Sequence, residues 1–107
     1  MPGPVPTAKI KLVTIIATSE LEERLVDDLH RLGAGGYTVS RASGGGLHGP
    51  RTRGLWDTGN VRVEALVTAE VGTRVLQNVA RTYEGMSIVA FMQDVEAVPA
   101  AHFASRT

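Results

Sequence analysis

Arg41–Gly54, RASGGGLHGPRTRG, gathers five glycines, one proline, one histidine and three arginines into fourteen residues. Those residue types suit an anion. Gly44, Gly45 and Gly46 in sequence leave the backbone free to turn several N–H groups toward one point, the geometry that receives phosphate or carboxylate oxygens. Arg51 and Arg53 add fork-shaped donors that match such oxygens in pairs, and Arg41 offers a third from the end of the preceding strand. The same stretch also reads as a simple turn flanked by solvated charges, and the segment alone leaves both readings open.

Chemistry of other kinds has little to work with. The chain has no cysteine, no GxSxG and no HExxH, and Glu22, Glu23, Asp27 and Asp28 form the polar side of a helix rather than a carboxylate cluster. No GxGxxG follows the first strand and no GxxxxGK[ST] loop occurs, so neither a standard dinucleotide site nor a P-loop is indicated. His30, His48 and His102 lack metal-ligand spacing, and no metal is expected. His48 remains an anion or proton-linked candidate. Trp56, in a polar loop, is either an anchor folded against the body or a contact for a partner. The expectation is a protein that binds, not an enzyme.

The 107 residues suffice for one domain and one core. Eleven basic and eleven acidic residues balance, so no broad field draws the chain to nucleic acid, and any anion site is small and focused. The opening MPGPVPTAKIK lacks the apolar region of a signal peptide and no apolar run reaches membrane-spanning length, which makes a soluble, cytoplasmic protein the expectation.

The elements that must position the loop follow from periodicity. KIKLVTIIA, from Lys9, is apolar on both faces from Leu12 to Ala17, as in a strand covered on both sides. Ser19 and Glu22 form a capping-box pair, and Leu21, Leu25, Leu29 and Leu32 recur at helical spacing before Gly33. Strands are expected at 36–42 and 61–69, a helix from about Glu70 to Tyr83 or Gly85, and a last strand over MSIVAFMQDVEAV. Residues 1–8 read as a flexible N-terminus, 9–98 as the folded domain and 99–107 as a tail. The order strand, helix, strand, strand, helix, strand is the split βαβ of an α+β, ferredoxin-like fold: βαββαβ, a four-stranded antiparallel sheet with two helices on one face. Val13, Ile15, Leu66, Val89 and Phe91 are candidates for the other face, and a homo-oligomer with sheets facing inward would cover them.

KLVTIIAT, GAGGYTVSRASGGG, NVRVEALVTAE and RTYEGMSIVAFMQDVEAV, spanning about residues 9–98, resemble the PII-like signalling proteins. They are most similar to the atypical branch linked to inorganic carbon uptake, with its carboxysome-associated members and its regulators of the bicarbonate transporter. The resemblance implies a homotrimer with an adenine nucleotide, ADP or AMP, in each cleft between subunits. The long excursion between the second and third strands, residues 44–59, then corresponds to the family's T-loop, and Arg81–Gly85 to its B-loop. By position the nucleotide contacts are Thr38, Val39 and Ser40, then Ser43, Gly44, Gly45 and Gly46, then Arg51 and Arg53, and finally Tyr83, Glu84, Gly85 and Met86. Bicarbonate, bound beside the phosphates in the carboxysomal members, would fall to Gly45, Gly46, Arg51 and Arg53. The implied partner, reached through the T-loop, is a bicarbonate transporter or a carboxysome-related protein.

The departures from the classical pattern also point toward carbon. Classical nitrogen-regulatory members grip triphosphate with a B-loop containing glycine and lysine and a basic C-terminal pair, whereas here the B-loop is RTYEG and the tail carries only Arg106. The T-loop lacks the tyrosine that is uridylylated, and the tail lacks a cysteine pair. A classical nitrogen sensor, or a trimeric metal-tolerance protein of the same shape that binds no nucleotide, is the alternative.

Overall fold

The computed structural model describes residues 3–46, 49–50 and 59–103. His48, Arg51, Arg53, Trp56 and Arg106 lie outside the described residues. The chain forms β1 (Ala8–Thr18), α1 (Glu22–Leu32), β2 (Thr38–Ala42), the short β3 (Gly45–Gly46) and β4 (Gly49–Pro50), β5 (Asn60–Val67), α2 (Ala69–Thr82) and β6 (Ile88–Ala97). The main sheet has the order β2-β5-β1-β6 with every neighbouring pair antiparallel, which is the expected ferredoxin-like topology. β3 and β4 pair with each other inside the long connection. A glycine-rich pair of two-residue strands has no alternation to read, so periodicity offers no sign of it.

The helix ends follow local chemistry, with one change from expectation. Thr68 caps α2, its Oγ1 accepting from the Val71 N–H at 3.2 Å. Gly33 ends α1 at φ 106°, donating to the His30 carbonyl while the Ala34 N–H reaches the Leu29 carbonyl at 2.9 Å, the paired bonds of a Schellman motif. The Ser19–Glu22 capping box does not open α1. A 3-10 turn over Ser19–Leu21 intervenes, the Ser19 N–H donates to the Gly59 carbonyl at 2.9 Å, and its Oγ accepts from Arg41 at 3.0 Å. A tertiary contact to the far end of the loop has displaced a local one.

Both helices cover one face of the sheet. Val13, Ile15 and Ala17 of β1 and Val61, Val63, Ala65 and Val67 of β5 are buried against Leu25, Leu29, Val75, Val79 and Tyr83. Each such valine or leucine stabilises the fold by about 1.5–3 kcal/mol. Gly72 lets α2 approach closely, since a Cβ there would collide with Met92 Sδ. Val13 and Ile15 therefore belong to the helix-covered core, not to the opposite face where the sequence reading put them. β1 is apolar on both faces, and only its register with β5, Val13 opposite Ala65 and Ile15 opposite Val63, fixes which set points inward.

The other face carries Leu12 opposite Leu66, Ile16 opposite Val89 and Thr14 opposite Phe91. Leu66, Val89 and Phe91, expected there, are 38%, 48% and 43% exposed. No helix among the described residues is long and apolar enough to cross a membrane.

Candidate functional site

The glycine-rich segment leaves the sheet at one end. Ala42 is paired with Asn60, and Asn60 with Thr18, so the three strand ends β2, β5 and β1 meet where the long loop departs and returns. Gly59 closes the loop at φ 91°, a conformation that glycine adopts without cost. Ser43 and Gly44 are exposed, and a Cβ at Gly44 would meet nothing within 4 Å. Space for a ligand exists at this root. Arg41 is exposed as well, with one guanidinium nitrogen engaged by Ser19.

The turn after α2 lies at the same end of the sheet, because Ile88 pairs with Ala17. β2 and β6 are the outer strands, so the turn and the loop root stand about 14 Å apart across three strand spacings. The Met86 N–H donates to the Tyr83 carbonyl at 3.0 Å, and Gly85 at φ 83° occupies the third position, as a type II turn requires. Glu84, Gly85 and Met86 are exposed. Tyr83 is not: its ring is 1% exposed and packs in the core, and its hydroxyl donates to Asp28 Oδ2 at 2.5 Å. The whole residue is buried, and its carbonyl is taken by the Met86 N–H.

Asp28 gathers further donors: Asn78 Nδ2 at 2.9 Å and the Arg31 guanidinium at 3.2 Å. Partial burial pushes its carboxyl up, but the hydrogen bonds from Tyr83, Asn78 and Arg31, with the charge of Arg31, outweigh that and hold it below its ordinary value of 3.8. Burial, the bond to Asp28 and the Asp28 charge push the Tyr83 phenol up to about 12. Arg24 lies over the same ring, 4.9 Å from its centroid.

Thr38 and Ser40 face the other way. Thr38 opposes Glu64 and Ser40 opposes Arg62 on the helix-free face of the sheet, while Val39 packs against the core. Thr38 and Glu64 line a groove of about 1120 Å³ together with Gly36, Tyr37, Leu66 and Arg74. Thr38 and Ser43 are five residues apart along one chain, roughly 16 Å in extended backbone. One chain thus divides the sequence-derived residues among three places: the groove at Thr38, the loop root at Ser43–Gly46 and the turn at Glu84–Met86.

Glu64 and Tyr37, which line the groove with Thr38, are not among the residues derived from the sequence. Thr14 Oγ1 donates to the Glu64 carboxylate at 3.1 Å, on the face that also carries Leu12, Ile16, Arg62, Leu66 and Phe91. Tyr37 is 46% exposed and stands edge-on to His30, ring centroids 5.7 Å apart. Among the described residues no group of three or more histidine, cysteine, aspartate or glutamate side chains could hold a metal ion.

The rigid sheet and its glycine-rich excursion define a loop-bearing ferredoxin-like domain. Over residues 10–102 the sequence matches the family described as nitrogen regulatory protein P-II, and the chain belongs to that family, which is regulatory rather than catalytic. It is similar to the structure of a PII-like signalling protein from Thermus thermophilus, at 35% identity and TM-score 0.76 over 92% of this chain and 99% of that one. It also resembles CPII from Thiomonas intermedia bound to ADP and bicarbonate, at 28% identity and TM-score 0.77 over 88% and 93% of the two chains. A structure of the same CPII bound to ADP, AMP and acetate matches at 26% identity and TM-score 0.76 over 92% and 98%. No curated protein matches the sequence.

Proposed function

We propose that this chain is a ligand-gated sensor that binds ADP or AMP together with bicarbonate in clefts between the subunits of a homotrimer. The observation that carries this reading is the likeness, along nearly the whole of both chains, to CPII holding ADP and bicarbonate. We read the division of the candidate residues among the groove, the loop root and the turn as that of a cleft which a second subunit completes. The exposed apolar face around Leu66, Val89 and Phe91 is of the kind that a second and third copy cover.

In this reading the N–H groups of Ser43–Gly46 and the guanidinium groups of Arg51 and Arg53 close on the phosphates and the small anion. Glu84, Gly85 and Met86 approach from the turn after α2. Occupancy biases the conformation of residues 44–59, and that loop gains or loses affinity for a partner in inorganic-carbon handling, a transporter or a carboxysome-related protein. Thermal-shift measurements with ADP, AMP, ATP and bicarbonate test the reading. A rise in Tm with ADP or AMP, enlarged by bicarbonate, is expected; no shift with any adenine nucleotide would defeat it.

A further inference from the structure

Asn60 opens β5 and is 2% exposed, yet among the described residues neither its Oδ1 nor its Nδ2 has a hydrogen-bond partner. Buried side-chain polar atoms are nearly always paired, because desolvation without a partner destabilises the fold. Here both polar ends of one amide are left over. Its backbone is held firmly: β5 pairs it with Ala42 on one side and Thr18 on the other, and the carbonyl of the preceding Gly59 accepts from the Ser19 N–H. The residue is thus held by its backbone at the junction of three strand ends, with Ala42 about 5 Å away across the ladder. Two residues beyond Ala42 the chain reaches Gly44, around which the backbone leaves open space.

We infer that Asn60 reads bicarbonate and separates it from simple carboxylates. A carboxamide presents one acceptor oxygen beside one N–H2 donor. Bicarbonate presents the complement, a hydroxyl that donates beside an oxygen that accepts, so the two form a paired, two-point contact. Acetate at neutral pH only accepts. It satisfies the Nδ2 donor and leaves Oδ1 facing another oxygen. A side chain this deeply placed is reached more readily by a small anion than by the edge of an adenine. The inference rests on the functional reading above and deepens it by assigning the anion's hydroxyl to one residue.

The test is calorimetry on the full-length protein with saturating ADP, titrating bicarbonate and, separately, acetate at mildly alkaline pH, for wild type, Asn60→Leu and Asn60→Asp. Wild type is expected to prefer bicarbonate to acetate. Both variants lose bicarbonate affinity on the order of tenfold, the worth of one hydrogen bond to a charged group, and ADP affinity without bicarbonate stays unchanged. Asn60→Leu also raises the Tm of the free protein, since it removes the unpaired amide; a residue serving only the fold would lower it. Asn60→Asp keeps the size and shape of the side chain, so the comparison survives if the leucine variant folds poorly. Retention of the bicarbonate preference in Asn60→Asp, a fall in ADP affinity without bicarbonate, a lowered Tm in a folded Asn60→Leu, or no preference in wild type overturns the inference while leaving ADP binding intact. Failure of wild type to bind ADP overturns the functional reading and this inference with it.

Discussion

The hydroxyl of Tyr83 donates to Asp28 Oδ2 at 2.5 Å, tying the end of α2 to the middle of α1. The bond joins the core to the turn that offers Glu84, Gly85 and Met86. Tyr83→Phe keeps the ring in its packing and removes one donor from a carboxylate that still has Asn78 and Arg31. A loss of about 1–3 kcal/mol is expected, read by urea unfolding, because a hydrogen bond to a charged group is removed and the carboxylate stays partly buried.

The same pair makes stability depend on pH at both ends of the range. Asp28 has a folded pKa below its ordinary 3.8, so it contributes stability that is present above 3.8 and is lost as pH falls through the lowered value. Tyr83 is the reverse case. Its phenol is raised from 10.0 to about 12, so its contribution is present below 10.0 and is lost as pH rises toward 12. Tyr83→Phe is expected to flatten the alkaline fall, as measured by unfolding at constant temperature across that window; an unchanged alkaline profile would count against the bond.

Gly33 sits in the left-handed region at φ 106°, with Val71 Cγ2 3.4 Å from where a Cβ would stand. Gly33→Ala is expected to cost about 1–2 kcal/mol, the penalty for a Cβ in that conformation. Chemical denaturation measures it, and the slope against denaturant should not change.

Phe91 and Leu66 lie on the helix-free face and are not part of the core. On the proposed homotrimer, Phe91→Glu is expected to give monomers while far-UV circular dichroism stays unchanged. Light scattering after gel filtration reads the mass, and a variant that remains trimeric would place the interface elsewhere.

The order of elements was legible because each long element carries its own period: leucines four and three apart in α1, and valine and alanine alternating in β5. Choices that depend on a partner were not legible. β1 is apolar at Leu12, Val13, Ile15 and Ile16 alike, so only its register with β5 puts Val13 and Ile15 under the helices. Ser19 and Glu22 satisfy the pattern of a capping box, but the loop returning at Gly59 takes the Ser19 N–H. The family was readable from GYTVSRASGGG and the turn before β6. Asn60 and Glu64 were not, since a single polar residue in a strand acquires meaning only from the face it occupies and the partners it lacks or finds.

Arg51 and Arg53 carry the charge expected to meet the phosphates. Changing both to alanine is expected to weaken ADP binding by tenfold or more, roughly the worth of one charge-assisted hydrogen bond, and to leave the oligomer intact. Dissociation of the oligomer would assign them to the fold.

The central claim is that nucleotide and bicarbonate are coupled through one cleft, and reciprocal calorimetry tests it most directly. ADP is titrated with and without bicarbonate, and bicarbonate with and without ADP. Heat in both titrations is predicted, with the same factor of change in each direction, as linkage requires. Binding of ADP that is indifferent to bicarbonate, or no heat with ADP at all, would contradict it.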